Sequence, residues 1–357
     1  MTLTEGAIMI RCKGYATQNP KDKLNLFNFE RRELNENDVL IDIKFCGVCH
    51  SDIHQARNEW GNSIYPMVPG HEIVGIISQL GSKVKKFQIG DRVGVGCMVD
   101  SCKACTSCKE NLEQYCEKGA VSTYNSKEYE TGAITFGGYS TCIVVKEDFV
   151  LKVPDNLDLA KAAPLLCAGI TTYSPLKHWG VKKNDKVGVV GLGGLGHMAL
   201  KIANAMGANV YVFTTSESKI EDAKKMGAKG VILSKDAKAV QKENSTFDFI
   251  INTVAAPHDL ALYMNCLKRD KTMVMVGVPD KPHASFAVDN LIFKRRSIGG
   301  SLIGGIQETQ EMLNFCSEHD IVCDIELIKI DQINEAYERT IKSDVKYRFV
   351  IDIASLK

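Results

Sequence analysis

The sequence predicts an α/β protein: a doubly wound parallel sheet in the second half of the chain, preceded by a mostly-β domain. Three observations lead there. From about Lys186 onward, β-branched apolar runs alternate with stretches of helical period, the pattern of parallel strands with covering helices. Before Pro164 the apolar runs are short and are separated by Gly, Pro, Asn and Asp. The length of 357 residues exceeds what one core usually fills, and at ~150 residues per domain two domains are expected.

Taken in order, Val39–Phe45 alternates with Val39, Ile41, Ile43 and Phe45 on one face, which is strand periodicity. Ile73–Leu80, Arg92–Val95 and Tyr139–Val145 read as further strands. Between them, Cys46 to Gly70 and Cys97 to Gly138 read as irregular connections, and long loops in a compact domain carry function or are held by something other than a core. The second half gives strand Lys186–Val190, helix His197–Gly207, strand Asn209–Thr214, helix Glu217–Gly227 and strand Gly230–Leu233. It continues with strand Phe247–Val254, helix His258–Leu267 and strand Thr272–Val278. Helices Gln307–Glu318 and Gln332–Lys342 and a strand Lys346–Ile353 close the chain. There are no internal repeats and no low-complexity tract.

Lys plus Arg (44) nearly balances Asp plus Glu (43), for a formal charge of +1, which argues against binding nucleic acid or anionic membrane through bulk electrostatics. The N-terminal MTLTEGAIMIRCKG lacks the plan of a secretory leader, and the apolar stretch Val187–Leu200 ends at Lys201, short of the ~20 residues a span needs. A cytoplasmic location is expected. There, thirteen cysteines at close spacing point to metal ligation before disulfides.

Gly191-Leu192-Gly193-Gly194-Leu195-Gly196 stands between an apolar strand and an amphipathic helix, the context that the dinucleotide fingerprint requires. The first glycine permits the turn, the second admits pyrophosphate to the backbone, and the third lets helix pack on strand. An NAD site would place a carboxylate at the end of the next strand. Here Thr214, Thr215 and Ser216 are followed by Glu217, Ser218 and Lys219, and hydroxyls with a lysine suit a 2′-phosphate, so NADP is preferred. The plainer reading is that Thr215 and Ser216 cap the following helix.

Cys102-x2-Cys105-x2-Cys108-x7-Cys116 offers four thiolates within one loop, enough to fill a tetrahedral zinc site that would be structural. An iron–sulfur cluster is the lesser metal alternative, and a nucleic-acid-binding zinc knuckle is disfavoured by the mixed charges around it. Cys49-His50-Ser51-Asp52-Ile53-His54, then His71-Glu72, then Cys167 form a more scattered set. Each member also has a plain reading: Cys167 as a small buried hydrophobe, His71 as a bonded loop histidine.

The stretch Gly70-His71-Glu72-x2-Gly75-x5-Gly81-x2-Val84 resembles the signature of the zinc-containing medium-chain alcohol dehydrogenases at every fixed position. The likeness extends over essentially the whole chain. Cys49-His-Ser-Asp-x-His, Tyr65-Pro-Met-Val-Pro-Gly-His-Glu, Pro164-Leu-Leu-Cys-Ala-Gly-Ile-Thr and Gly300-Ser-Leu-Ile-Gly resemble the cinnamyl alcohol dehydrogenase branch.

The resemblance implies a GroES-like catalytic domain of residues 1–160 that regains residues 305–357, and a Rossmann coenzyme domain of residues 161–304. It implies two zinc ions per chain, NADP(H), a homodimer and aldehyde reduction. By position, Cys49, His71 and Cys167 would hold a catalytic zinc with Glu72 as an occasional fourth ligand, and Asp52 would orient His71. Cys102, Cys105, Cys108 and Cys116 would hold the structural zinc. Coenzyme positions would be Ser51, Thr171, the six-residue glycine turn, Thr214 through Lys219, Thr253, Gly277, Ser301, Leu302 and Ile303. Trp60, Val121 and Leu302 would line the substrate pocket, and Val121, small where plant members often carry an aromatic, implies a roomy apolar pocket and broad specificity.

The chemistry so implied is hydride transfer from NADPH to a zinc-polarised carbonyl, with the proton arriving through Ser51, the nicotinamide ribose and His54. Two rivals remain open: reduction of a conjugated double bond on the same scaffold, and a non-catalytic nucleotide-binding or structural role.

Overall fold

The computed structural model describes residues 9–356, so most of the N-terminal segment used for the leader reading lies outside the described residues. The chain forms two compact units, one of residues up to Cys167 together with those from Gly305 onward, the other Ala168–Gly304. The first unit therefore keeps the stretch from 161 to Cys167 that the sequence reading gave to the coenzyme domain. Among the described residues, no helix is long and apolar enough to cross a membrane.

The first unit is built on strand Asp38–Gly47, whose alternation buries Val39, Ile41 and Ile43. It pairs antiparallel with Ile73–Leu80 on one side and with Cys142–Lys146 and Arg348–Asp352 on the other. The sheet runs in the order Ile325–Lys329, Arg348–Asp352, Asp38–Gly47, Ile73–Leu80, Arg92–Val95, Leu151–Lys152. The register matters more than the count. Cys46 lies opposite Ile73, and Gly47 N–H donates to the Glu72 carbonyl at 3.0 Å, so the exit of one strand and the entrance of the next meet at one edge.

The second unit holds six parallel strands in the order Gly230–Leu233, Asn209–Thr214, Lys186–Val190, Phe247–Asn252, Leu267–Met275, Ser297–Gly300. Covered on both faces, such strands read as continuous apolar runs: Val187, Val189 and Val190, and Phe249, Ile250 and Ile251, are all buried. Chain order reverses beside Lys186–Val190, the switch point where this architecture takes a ligand at the strand C-termini.

Several expectations need correcting. A helix His50–Ala56 occupies part of the stretch read as irregular. Its buried face is largely polar (Asp52, His54, Gln55), so apolar periodicity does not reveal it. Helix Ala168–His178 has no contrast of faces either, being buried along nearly its whole length. An N-terminal hairpin of Ile10–Ala16 and Asn25–Arg31 also went unread. The expected strand Tyr139–Val145 begins only at Cys142, and the helix expected at His258–Leu267 is the shorter Leu260–Met264, capped by Asp259, with the next strand starting at Leu267.

Candidate functional site

Three segments bring the scattered set together. Cys49 caps the helix His50–Ala56, where its backbone N–H donates to Asp52 Oδ2 at 2.9 Å, a capping-box bond that holds both residues. His71 and Glu72 lead into strand Ile73–Leu80, and Cys167 follows the 3₁₀ turn Ala163–Leu166. One ligand atom from each of Cys49, His71, Glu72 and Cys167 lies within 4.8 Å of the others, all four residues being buried. The Cys49 and Cys167 sulfurs are 3.9 Å apart.

The surroundings favour a positive guest. Asp52 is fully buried, and His71 Nδ1 donates to its Oδ1 at 3.0 Å. Gly70 N–H donates to the same oxygen at 3.1 Å, and the Tyr139 hydroxyl to Oδ2 at 3.1 Å. With Nδ1 so committed, Nε2 is the nitrogen left for a metal. Burial works against charge on His71, yet Asp52 draws its pKa well above the ordinary imidazole value. A hydrogen bond from the Cys167 thiol, against the cost of burial and with help from Arg348, lowers Cys49 well below an ordinary thiol. The same bond holds Cys167 up. One thiolate is thus already favoured at this spot.

Glu72 pairs with the buried guanidinium of Arg348, whose strand lies beside Gly47. Burial pushes the Glu72 carboxyl up to about 8 against the pull of Arg348, and its Oε2 is buried without a hydrogen-bond partner among the described residues. An orphaned carboxylate oxygen among two sulfurs and an imidazole suits a divalent cation, and the donor chemistry is that of zinc with three protein ligands and an open position.

The four-cysteine loop solves the same problem locally. One sulfur from each of Cys102, Cys105, Cys108 and Cys116 lies within 4.8 Å of the others. Cys105 N–H points at Cys102 Sγ and Cys102 N–H at Cys116 Sγ, both at 3.4 Å. Backbone N–H groups of Ala104 and Cys105 lower the Cys102 thiol, whereas burial pushes Cys108 up to about 12. Four sulfurs with N–H support fit a closed tetrahedral zinc.

In the second unit Gly191 adopts φ +89°, and a Cβ at Gly196 would collide with the Gly191 carbonyl, while Gly193 faces open space. The turn is therefore left clear where a pyrophosphate needs the backbone. Thr253 Oγ1 donates to the Val190 carbonyl at 2.8 Å and braces the turn from the neighbouring strand. Thr214 is buried at its strand end and accepts from Ser216 N–H at 3.2 Å; the Ser216 and Ser218 hydroxyls are 2.7 Å apart. Lys219 Nζ reaches back to the Leu192 carbonyl at 2.9 Å, and burial lowers its pKa. Thr215 and Glu217 are exposed. Thr171 is buried in helix Ala168–His178, Gly277 abuts Val254, and Ser301 N–H donates to the Met275 carbonyl at 3.2 Å. Leu302 is mostly exposed, and Ile303 has φ +36°.

Residues 35–155 match the Alcohol dehydrogenase GroES-like domain, and residues 194–318 the Zinc-binding dehydrogenase family. The chain belongs to the zinc-dependent medium-chain alcohol dehydrogenases. It is 56% identical to the aldehyde reductase YahK of Escherichia coli over 97% of this chain and 99% of that one. Among solved structures it is similar to a cinnamyl alcohol dehydrogenase of Sorghum bicolor (TM-score 0.94, 43% identity, 96% and 98% of the two chains). It is also similar to the enzyme from Helicobacter pylori complexed with NADP(H) (TM-score 0.92, 46% identity, 97% and 99%). This dehydrogenase accordingly combines the GroES-like and Rossmann-type folds of its family.

Ser51 and His54 share the helix His50–Ala56, one turn apart. His54 stacks on Trp60 with ring centroids 5.0 Å apart, its Nδ1 is bonded to the Glu59 carboxylate, and its Nε2 is buried without a hydrogen-bond partner among the described residues. Val121 is buried in the short strand Val121–Ser122. Sequence reasoning missed Glu59, Tyr139 and Arg348. Arg348 could not have been found, because nothing in Lys346-Tyr347-Arg348-Phe349 refers to Glu72, 276 residues away.

Proposed function

We propose that this dehydrogenase reduces aldehydes to primary alcohols with NADPH, accepting aromatic and medium aliphatic substrates. The observation that carries the reading is the convergence of Cys49, His71, Glu72 and Cys167, next to a helix that bears Ser51 and His54. Cys49, His71 and Cys167 would hold the catalytic zinc, and the four-cysteine loop the structural one. Zinc, when bound, polarises the carbonyl oxygen, and NADPH supplies the hydride.

The chain's own groups manage position and protons. Asp52 fixes the His71 ring through Nδ1, which would leave Nε2 to hold the metal. Glu59 holds His54 with the proton on Nδ1, which leaves Nε2 to exchange a proton, and Ser51 would pass that proton on toward substrate oxygen. Lys219, with Ser216 and Ser218, would receive the 2′-phosphate beside the glycine turn. Trp60 and Val121 would give the pocket apolar walls, and such walls discriminate weakly, by ~1–3 kcal/mol per methylene. That supports broad rather than dedicated specificity.

A homodimer is supported by the edge strand Ser297–Gly300, paired on one side only, with exposed Val288, Ile292 and Phe293 nearby on the same unit. The thirteen cysteines, none of them in a disulfide, support a reducing, cytoplasmic compartment.

Incubation with cinnamaldehyde and NADPH, followed by product identification, tests the reading. Cinnamyl alcohol is expected. Saturated aldehyde would transfer the protein to the double-bond reductases, and coenzyme binding with a single zinc and no turnover would favour a non-catalytic role.

A further inference from the structure

Cys12 and Cys142 belong to neither donor cluster, yet their sulfurs stand 3.5 Å apart. The backbone explains why. Tyr15 N–H donates to the Tyr139 carbonyl and Thr141 N–H to the Lys13 carbonyl, so Gly14 and Ser140 face each other as a non-hydrogen-bonded antiparallel pair. Two residues beyond this isolated bridge on either segment, Cys12 and Cys142 bring their sulfurs into contact. Sulfurs already in contact have only ~1.5 Å to close to reach the ~2.0 Å of a disulfide bond.

The two thiols are chemically unequal. The Cys142 S–H donates to Cys12, and this bond, with Arg31 nearby, outweighs burial and lowers the Cys12 thiol to about 5. The same bond, with burial, raises Cys142. The contact thus favours the thiolate, the nucleophilic form, at Cys12 with the proton on Cys142, both side chains being buried. The pair lies just under the hairpin strand, where Arg11 and Lys13 on either side of Cys12 are exposed. The cysteine pairs Cys49–Cys167 and Cys102–Cys108, at 3.9 Å, lie instead in the two candidate donor clusters.

We propose that Cys12 and Cys142 are an oxidation site, a thiol pair that hydrogen peroxide converts reversibly into a disulfide joining the N-terminal hairpin to strand Cys142–Lys146. The Cys12 thiolate attacks one peroxide oxygen. The O–O bond breaks, hydroxide leaves and takes up a proton as water, and Cys12 becomes a sulfenic acid. Cys142 then loses its proton and its sulfur attacks Cys12. The S–O bond breaks, and the departing oxygen leaves as the second water. Two thiols give up two electrons and the peroxide accepts them; a dithiol reductant reverses the change. The new bond joins segments already bridged at Gly14 and Ser140, so the metal donors keep their places, although Tyr139, three residues before Cys142, touches Asp52.

The test treats the zinc-loaded enzyme with a few equivalents of hydrogen peroxide, then measures intact mass, unreduced peptide maps, zinc content and Tm. Expected are the loss of two hydrogens, one linked peptide joining Cys12 to Cys142, two zinc ions retained and a Tm raised by several degrees, all reversed by dithiothreitol. In Cys142→Ser the link vanishes and Cys12 is trapped by dimedone as the sulfenic acid; Cys142→Ala serves if the serine variant does not accumulate. Links confined to donor cysteines, with zinc released while Cys12 and Cys142 still react with iodoacetamide, would overturn the proposal. So would a Cys142→Ser protein in which Cys12 takes up no dimedone.

Discussion

The two sulfur clusters would hold the same kind of guest by opposite means. The loop from Cys102 to Cys116 gathers four donors from fifteen successive positions and steadies them with its own backbone N–H groups. The cluster at Cys49, His71, Glu72 and Cys167 draws on three distant segments, and its donors are steadied by side chains: Asp52 on His71, Arg348 on Glu72. A local site with little core of its own takes much of its order from the metal, so binding there contributes folding energy. A site assembled by the sheet exists beforehand and can leave one position open for chemistry. The difference teaches that closure and openness follow from where the donors come from.

The sharpest way to break that contrast is to remove one donor from each cluster. Cys49→Ala should leave one zinc per chain and a nearly normal Tm, with turnover down by on the order of 10⁴-fold, the several kcal/mol a Lewis acid contributes. Cys105→Ala should also leave one zinc, but the main loss should be stability, read as a lowered Tm and aggregation. Equal stability losses in the two variants would erase the distinction.

Arg348→Leu comes next. It strands Glu72 in a buried position, and denaturation should show a loss of ~3–5 kcal/mol. Asp52→Asn removes the negative charge that orients His71, and competition with a chelator should show zinc at the catalytic cluster held ~10–100-fold more weakly, with the loop's zinc unaffected. The smallest effect belongs to the loop's surface anchor. Lys103 and Lys86 both donate to Asp148 at 2.6 Å and, against burial, lower its carboxyl to about 2. Because all three side chains are about half exposed, Asp148→Asn should cost less than ~1 kcal/mol in thermal or denaturant unfolding.

Legibility followed the range of the interaction. Strands Ile73–Leu80, Arg92–Val95, Lys186–Val190, Asn209–Thr214 and Gly230–Leu233 begin and end where their apolar runs do, because burial on a pleated surface leaves a period in the sequence. Helix His50–Ala56 left no such trace, since its inward face is spent on Asp52, His54 and Gln55 rather than on apolar residues. The glycine turn was readable from its strand and helix context. Lys219 was readable as a candidate for the 2′-phosphate, but its reach to the Leu192 carbonyl was not.

By itself, the sequence determined the two-domain α/β plan, the four-cysteine loop and the glycine turn, because each is written in residues close enough along the chain to interact locally. Only the tertiary structure decided that Gly47 meets Glu72, that Arg348 lies against that carboxylate, that Glu59 holds His54, and that Cys12 faces Cys142. Those contacts depend on strand register and helix entry, which are set by the collective burial of the core and leave no mark in the spacing of the residues they join.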